Sequence, residues 1–334
     1  MRVVVLHDAV PEGARPDELD TLEQVRAVAA ALTARGHTAE ALPFDLDLGR
    51  ARAELLARGP DVVFNLVESV GGQGRLVHLA PALLEALGLP FSGCSAEATF
   101  LASGKPLAKR LLQQAGVPTA PWLSRPELAA GAPVPAGRWI VKSAWEHASV
   151  GLDEDSVLEG GDPAALLAEL ERRLPALGGE GFLEAFLPGR ELNLGLLEGP
   201  DGPRHLPPAE IEFRDWPAGK PRVVGYRAKW AEDSFEYVHT VRRYAFGPED
   251  QAFLAAGQAL ARACWDLFRL SGYARVDLRG DAQGRPVVLE VNTNPCLAPG
   301  AGFAAALEVA GLDYAHTIEE LALNALRRAG RDPR

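Results

Sequence analysis

The chain has 334 residues, 47% hydrophobic and 24% charged, an ordinary globular composition too long for one simple core, so two or three domains are expected. A formal net charge of −11 argues against a nucleic-acid partner, which usually selects a basic face. Cys94, Cys264 and Cys296 lack zinc-like spacing and suit a reducing compartment rather than a disulfide framework, and with no apolar run of membrane-spanning length the expectation is a cytoplasmic protein.

Residues 2–7, within Met1-Arg-Val-Val-Val-Leu-His-Asp8, read as a buried strand, because the stretch turns polar too soon for a signal peptide. Residues 17–35 carry a helical pattern in Leu19, Leu22, Val25, Val28, Ala29 and Leu32, closed by Gly36. Strands are expected at 38–43 and 61–65, a helix at 75–87 stopped by Gly88, and a short strand at 90–93. This alternation predicts an α/β unit with a parallel sheet. The first turn, residues 7–13, lacks G-x-G-x-x-G, which argues against a dinucleotide site. Ser103 can cap a helix over 104–115 that ends at Gly116. Residues 124–138, rich in Pro, Ala and Gly, read as a connection, and 138–142 as a strand ending on a lysine. Asp162-Pro163 starts a helix that runs to 174. From Gly181 the chain turns strand-rich, at 182–184, 191–197, 205–212 and 222–228. A helix at 249–270 precedes a hairpin, and another at 318–329 closes the chain.

That hairpin, Tyr273-Ala-Arg-Val-Asp-Leu-Arg279 and Pro286-Val-Val-Leu-Glu-Val-Asn292, carries the strongest chemical signal. Each arm alternates apolar and polar residues, and Asp281-Ala-Gln-Gly284 has the composition of a tight turn. If Asp281 pairs with Gly284, Arg275 faces Glu290 and Asp277 lies diagonally beside Glu290. Arg275, Asp277, Glu290 and Asn292 then share one face, and Ala274, Val276, Leu278, Leu289 and Val291 the apolar one. Two carboxylates and an amide oxygen are hard ligands for Mg²⁺, and Arg275 beside them can steady an anionic transition state. A merely solvated sheet face seldom runs straight into a polar loop such as Asn292-Thr-Asn-Pro-Cys296.

Upstream features suit a nucleotide. Lys105 lies in the first turn of its helix, Lys142 ends a strand, and Lys229 ends the strand expected at 222–228. Ala148-Ser-Val-Gly151 is a small-residue loop whose N–H groups can cradle an anion. Glu184-Ala-Phe-Leu-Pro-Gly-Arg-Glu191 offers a carboxylate at each end, one for an adenine amino group and one for a ribose diol. Taken singly, a lysine is usually solvated and a Ser-Val-Gly usually a turn; the combination carries the weight. Gly104-Lys105 is not a P-loop, since Thr99 occupies the place of its first glycine.

Phe64-Asn65, Leu87-Gly-Leu-Pro-Phe-Ser-Gly93, Lys105 with Lys109 ahead of Ala115-Gly-Val-Pro118, and Val141-Lys142 follow one another in a distinctive order. Ser149-Val-Gly151, Glu184 to Glu191, Ala228-Lys229, Arg275-Val-Asp277 and Glu290-Val-Asn-Thr293 continue it. In this order the chain resembles the ATP-grasp ligases, and within them the D-alanine–D-alanine ligases, over nearly its whole length. The resemblance implies an α/β, ATP-grasp fold of three parts, with ATP between two antiparallel sheets. Its expected divisions are an N-terminal Rossmann-like domain at 1–100, a central subdomain at 101–186, and a C-terminal subdomain with the metal site at 187–334. By position, Lys105 and Lys142 contact phosphates under a cover of Ser149, Val150 and Gly151. Glu184, Phe186 and Leu187 meet adenine, Glu191 the ribose, and Lys229 the terminal phosphate. Asp277, Glu290 and Asn292 hold two Mg²⁺ (or Mn²⁺) ions, and Arg275 faces the reacting centre. The family activates a carboxylate as an acyl phosphate and lets an amine displace phosphate. Because that intermediate hydrolyses when wet, Gly151 and residues 230–245 are the expected moving parts.

The departures from the family fall where amino-acid substrates should bind. Residues 8–20 lack its glycine- and serine-rich signature with a substrate-holding glutamate, and Glu68-Ser69 replaces a histidine-glycine pair. Ala148 stands for a serine and Trp230 for its tyrosine partner; Cys296 replaces a glycine, and Ala301 a serine. Glu68, Trp230 and Cys296 are thus substrate-side candidates, and Glu68 favours an ammonium or guanidinium group unless it merely caps the turn at Gly71-Gly72. The leading expectation is an ADP-forming carboxylate–amine ligase for amino acids or small peptides, neither membrane-bound nor a nucleic-acid binder. A true D-alanine–D-alanine ligase, a non-catalytic ATP-binding module and a kinase-like phosphoryl transfer are the alternatives, and a homodimer is one expectation for assembly.

Overall fold

In the computed structural model, which describes residues 1–11, 13–14 and 16–331, strand–helix alternation builds the N-terminal part around a parallel sheet. Its strands β1 (Arg2–Asp8), β2 (Thr38–Phe44) and β3 (Val62–Asn65) lie in the order β2-β1-β3. A parallel strand is covered on both faces, so Val3, Val4, Val5 and Leu6 are all buried. Val3 and Val5 pack with Val25, Val28 and Leu32 of α1 (Pro16–Ala34). Val4 and Leu6 pack with Leu55 of α2 (Leu48–Arg58) and Leu84 of α3 (Leu79–Ala86). Glu12, within the first turn considered above, lies outside the described residues.

Helices α4 (Ala96–Ser103) and α5 (Lys105–Gln114) lead to an antiparallel sheet of β4 (Trp122–Ser124), β5 (Arg138–Ser143), β6 (Val157–Glu159) and β7 (Gly181–Ala185), ordered β4-β7-β5-β6. On one face Trp139, Val141 and Leu183 pack with Leu128 of α6 (Arg125–Ala129) and Leu166 and Leu170 of α7 (Pro163–Arg173). The alternate residues Ile140, Lys142, Phe182 and Glu184 therefore turn the other way, as the β5–β7 register requires.

The third part is a second antiparallel sheet. It contains β8 (Glu191–Leu197), β9 (Arg204–His205), β10 (Ala209–Phe213), β11 (Thr240–Arg243), β12 (Tyr273–Gly280) and β13 (Pro286–Asn292), in the order β11-β10-β8-β12-β13 with β9 beside β8. Its helices are α8 (Tyr226–Trp230), α9 (Phe235–His239), α10 (Gln251–Leu267), α11 (Gly302–Val309) and α12 (Tyr314–Arg328). Leu254, Ala261 and Trp265 of α10 cover the apolar face made by Leu192, Leu194, Val276 and Leu278. Helix α12 returns to the first part, placing Ile318, Leu321 and Leu326 in one core with Val3, Val5 and Leu32. Contact thus crosses the expected division at 187–334, whose last residues, 332–334, lie outside the described ones. Among the described residues no helix is long and apolar enough to cross a membrane.

Three parts with two antiparallel sheets match the expected fold class, but several elements differ from expectation. The segment 222–228 is not a strand: 222–225 is irregular and α8 follows. Ser103 ends α4 rather than capping the next helix, and Gly104 is the N-cap of α5. Gly104 is needed there because a Cβ would lie 2.8 Å from the Trp145 ring. The connection at 124–138 contains α6, started by a capping box of Ser124 and Glu127. Residues 205–212 split between β9 and β10, 90–93 makes only a bridge of Phe91 to Val63, and 75–87 opens with a 3₁₀ turn before α3. Helices α2, α4, α9 and α11 and strands β4, β6 and β11 were not anticipated.

Candidate active site

The β12–β13 hairpin brings Arg275, Asp277, Glu290 and Asn292 together, in a register different from the expected one. Asp277 lies directly opposite Glu290, and Arg275 opposite Asn292, because the register shifts between Asp277 and Leu278. The extra residue is Leu289: Val288 still faces Leu278 and the α10 core, while Leu289 is only half-buried and takes no part in that core. The bulge reverses the alternation within one strand, so Val288 can face inward and Glu290 can face the site.

Asp277 is 6% exposed and fully engaged. Arg275 donates to it from Nε at 2.7 Å and from a terminal nitrogen at 2.8 Å, and Asn193 Nδ2, on neighbouring β8, donates at 2.8 Å. Asn292 Oδ1 accepts from the Asn294 N–H at 3.0 Å. Among the described residues no group of three His, Cys, Asp or Glu side chains converges as a metal site. The donors available are two facing carboxylates and an amide oxygen. Such a set fits a hard cation that completes its shell with water and phosphate oxygens, provided Asp277 gives up part of its hold on Arg275.

Cations surround this face. Lys105 Nζ donates to the Glu146 carbonyl at 2.8 Å and lies 3.7 Å from Glu290 Oε2. Burial alone would raise the Glu290 carboxyl, yet Lys105, with Lys142 and Lys229, holds it below the usual carboxylate range. Lys229 stands in α8, not at a strand end; burial and then Arg275 lower its ammonium, while Glu290, Asp277 and Glu191 oppose them. Lys142 pairs with Glu184, and so does Lys109, whose Nζ also donates to Thr119 Oγ1 at 2.8 Å. Glu184 and the Lys109 side chain are each 1% exposed. Glu184 is thus ion-paired with two lysines, while its Oε1 makes no hydrogen bond among the described residues.

The loop over this face is held to the segment before and within α8. Ser149 Oγ donates to the Val224 carbonyl at 2.8 Å, the Tyr226 N–H to Leu152 at 2.7 Å, and Trp230 Nε1 to the Ala148 carbonyl at 3.2 Å. Ala148, Ser149 and Gly151 have φ of 56°, 60° and 68°. Only glycine suits position 151, where a Cβ would meet the Ala176 carbonyl oxygen at 2.6 Å. Val150 is half-buried in the same loop.

At the other end of the slot, Phe186 packs with Ile140 and Val223 beside half-buried Leu187. Glu191 pairs with Arg279 at 3.0 Å. Arg279 and His147 were missed from the sequence. Arg279 is one more step along the Arg275–Asp277 face, which the period of two could have disclosed. His147, just ahead of Ala148, is pushed down to about 3 by burial and then by Lys105, so it is neutral.

Of the substrate-side candidates, Glu68 belongs to an acidic wall from the N-terminal part with Asp8 and Asp20, Cys296 lies against that wall, and Trp230 stands apart on the loop. Asp8 accepts from the N–H groups of Glu68 and Ser69 at 2.8 and 2.9 Å and from Ser69 Oγ at 2.7 Å, which fixes the turn bearing Glu68. Glu68 accepts from Gln24 Nε2 at 3.3 Å rather than capping the Gly71-Gly72 turn. Burial, and then Asp8, push its carboxyl up to about 8, with Asp20 adding and Arg275 opposing. Cys296 Sγ donates to Asp20 Oδ2 at 3.1 Å, and burial with Glu68 and Asp20 raises its thiol far above the ordinary value, so it stays protonated.

The family model described as the D-ala D-ala ligase C-terminus matches residues 131–322. The chain is 30% identical over 319 residues to the D-alanine–D-alanine ligase of Synechococcus sp. (strain JA-3-3Ab), covering 91% of this chain and 88% of that one. Identity to the D-alanine–D-alanine ligase of Halorhodospira halophila is 32% over 325 residues, covering 96% of each. The crystal structure of D-alanine–D-alanine ligase from Bacillus anthracis complexed with ATP superposes with a TM-score of 0.72 at 20% identity, covering 99% of this chain and 98% of that one.

Proposed function

The chain belongs to the D-alanine–D-alanine ligase family and is an ATP-dependent, ADP-forming carboxylate–amine ligase, and we propose that its substrates are not two D-alanines but include one that is larger or carries an extra ammonium or guanidinium group. The observation that carries this reading is Glu68, half-buried beside Asp8 and Asp20 and within reach of the Arg275 charge. A carboxylate raised by burial and like charges gains most from a bound cation. Ala148 and Trp230 support the same reading, since the contact between them now runs to a backbone carbonyl and leaves no hydroxyl for a substrate.

The substrate carboxylate attacks the terminal phosphorus of ATP, the bond to ADP breaks, and an acyl phosphate forms. The amine, having lost a proton, then attacks the acyl carbon and phosphate leaves with its bonding pair. Lys105, Lys142 and Lys229 neutralise the phosphates that would otherwise repel the incoming carboxylate. Asp277, Glu290 and Asn292 would hold Mg²⁺ or Mn²⁺, in the family's manner as two ions, which supplies Lewis-acid stabilisation of phosphoryl charge. Arg275 steadies the negative charge that develops on the acyl side. Phosphoryl transfer asks for positioning and charge rather than a protein nucleophile, which agrees with a Cys296 kept protonated. Ser149, Val150 and Gly151 keep water from the acyl phosphate. Phe186 and Leu187 flank the base, and Glu191 meets the ribose.

ADP release is the test, screened over amino acids, dipeptides and diamines in pairs. It should require both an acid and an amine. Two unmatched polar groups at about 1–3 kcal/mol each lower D-alanine use by roughly a hundredfold relative to the best pair. D-alanyl-D-alanine formed at a rate comparable with the best pair overturns the substrate assignment, and AMP with pyrophosphate as products overturns the acyl-phosphate route.

A further inference from the structure

Arg279 lies on β12 two positions beyond Asp277, on the face that carries Arg275, and is 6% exposed. A guanidinium so buried is costly unless each of its donors finds an acceptor. One terminal nitrogen pairs with Glu191 at 3.0 Å, and the other donates to the Arg222 carbonyl at 2.6 Å. Nε is buried and has no partner among the described residues. The guanidinium carbon is 5.2 Å from the centre of the Phe186 ring, and that of Arg138 is 4.7 Å from it. A purely structural pair joining β12 to β8 explains the two terminal nitrogens and leaves the Nε–H unmatched.

We propose that Arg279 is a nucleotide-recognition residue: held between Phe186 and Glu191, it donates from Nε to a ring nitrogen of the purine base. The proposal rests on the ATP-dependent ligase reading above and says how this chain takes the base. Glu184 holds two lysines, one at each oxygen, so its charge is already matched before a base arrives. An unmatched N–H needs an acceptor, and the matching atoms of a purine are its unprotonated ring nitrogens. Arg279 also positions Glu191 for the ribose, so one side chain orients base and sugar together.

The test compares the affinity of the full chain, with Mg²⁺, for ATP, 7-deaza-ATP and 3-deaza-ATP by competition with a fluorescent ATP analogue. At least one deaza analogue should bind the wild type about tenfold or more weaker than ATP. Arg279→Met should lose ATP affinity by a similar factor and bind that analogue and ATP alike. Equal wild-type affinity for all three nucleotides, or an Arg279→Met variant that still tells them apart, overturns the assignment. Should that variant fail to fold, the wild-type comparison decides alone. A wild type that binds no ATP removes the ligase reading itself, which separates that failure from one confined to Arg279.

Discussion

Two carboxylates flank Arg275, and their surroundings push them in opposite directions. Glu290, among Lys105, Lys142 and Lys229, is held below the ordinary carboxyl range despite its burial. Glu68, among Asp8 and Asp20, is pushed up to about 8. The first wall carries its own cations. The second carries an excess of acids and leaves the balancing charge to a ligand. The same residue type is thus pushed in opposite directions near one arginine, and the sign of the neighbours decides which.

The comparison breaks most sharply at Glu290. Glu290→Ala should lower ADP release about 10³-fold or more while circular dichroism stays native, since Lewis-acid stabilisation amounts to several kcal/mol. Full activity in this variant removes the metal assignment. A smaller effect belongs to Glu68→Gln, which should cut kcat/KM for a cationic substrate about 10- to 100-fold and leave the KM for ATP unchanged. An equal loss on both substrates would show that the two walls are not separate.

Glu68 also gives the free protein a pH dependence of definite sign. Burial raises its carboxyl from 4.5 to about 8, so the folded chain binds that proton more tightly than the unfolded one. Its contribution to stability is full below pH 4.5 and is lost as pH climbs towards about 8. Asp8, raised by burial to about 6, acts in the same sense. Thermal unfolding without substrate should show Tm falling across that window, and less steeply in Glu68→Gln; parallel slopes would contradict the environment assigned to Glu68. The smallest effect is expected at the loop. Trp230→Phe removes the donor to the Ala148 carbonyl, a bond of about 0.5–1.5 kcal/mol net, and should raise KM for ATP only a few-fold. No change would detach the loop from α8.

The site residues were legible wherever chemistry forces a residue type. Hard-oxygen ligands on alternate positions and lysines at element ends stand out in any sequence, and in order they point to one family. The buried partners were not legible. Nothing local says that Glu184 is shared by Lys109 and Lys142, which come from α5 and β5 and meet only when both pack on β7. His147 reads as a loop residue until Lys105 and Glu290 lie beside it. The strand expected at 222–228 failed because a short helix, α8, docks against the 148–153 loop by long-range bonds that no local pattern encodes.

By itself the sequence determined the α/β class, most of the longer strands and helices, and the residue types on the face from which the metal reading was drawn. These depend on hydrophobic period and side-chain chemistry, which are local. Tertiary structure alone decided the β12–β13 register, since one extra residue, Leu289, flips every side chain beyond it and only the α10 core shows which way Val288 must face. It also decided the opposite shifts of Glu68 and Glu290, because an ionisable group answers to the charges and solvent packed around it, and those arrive from distant parts of the chain.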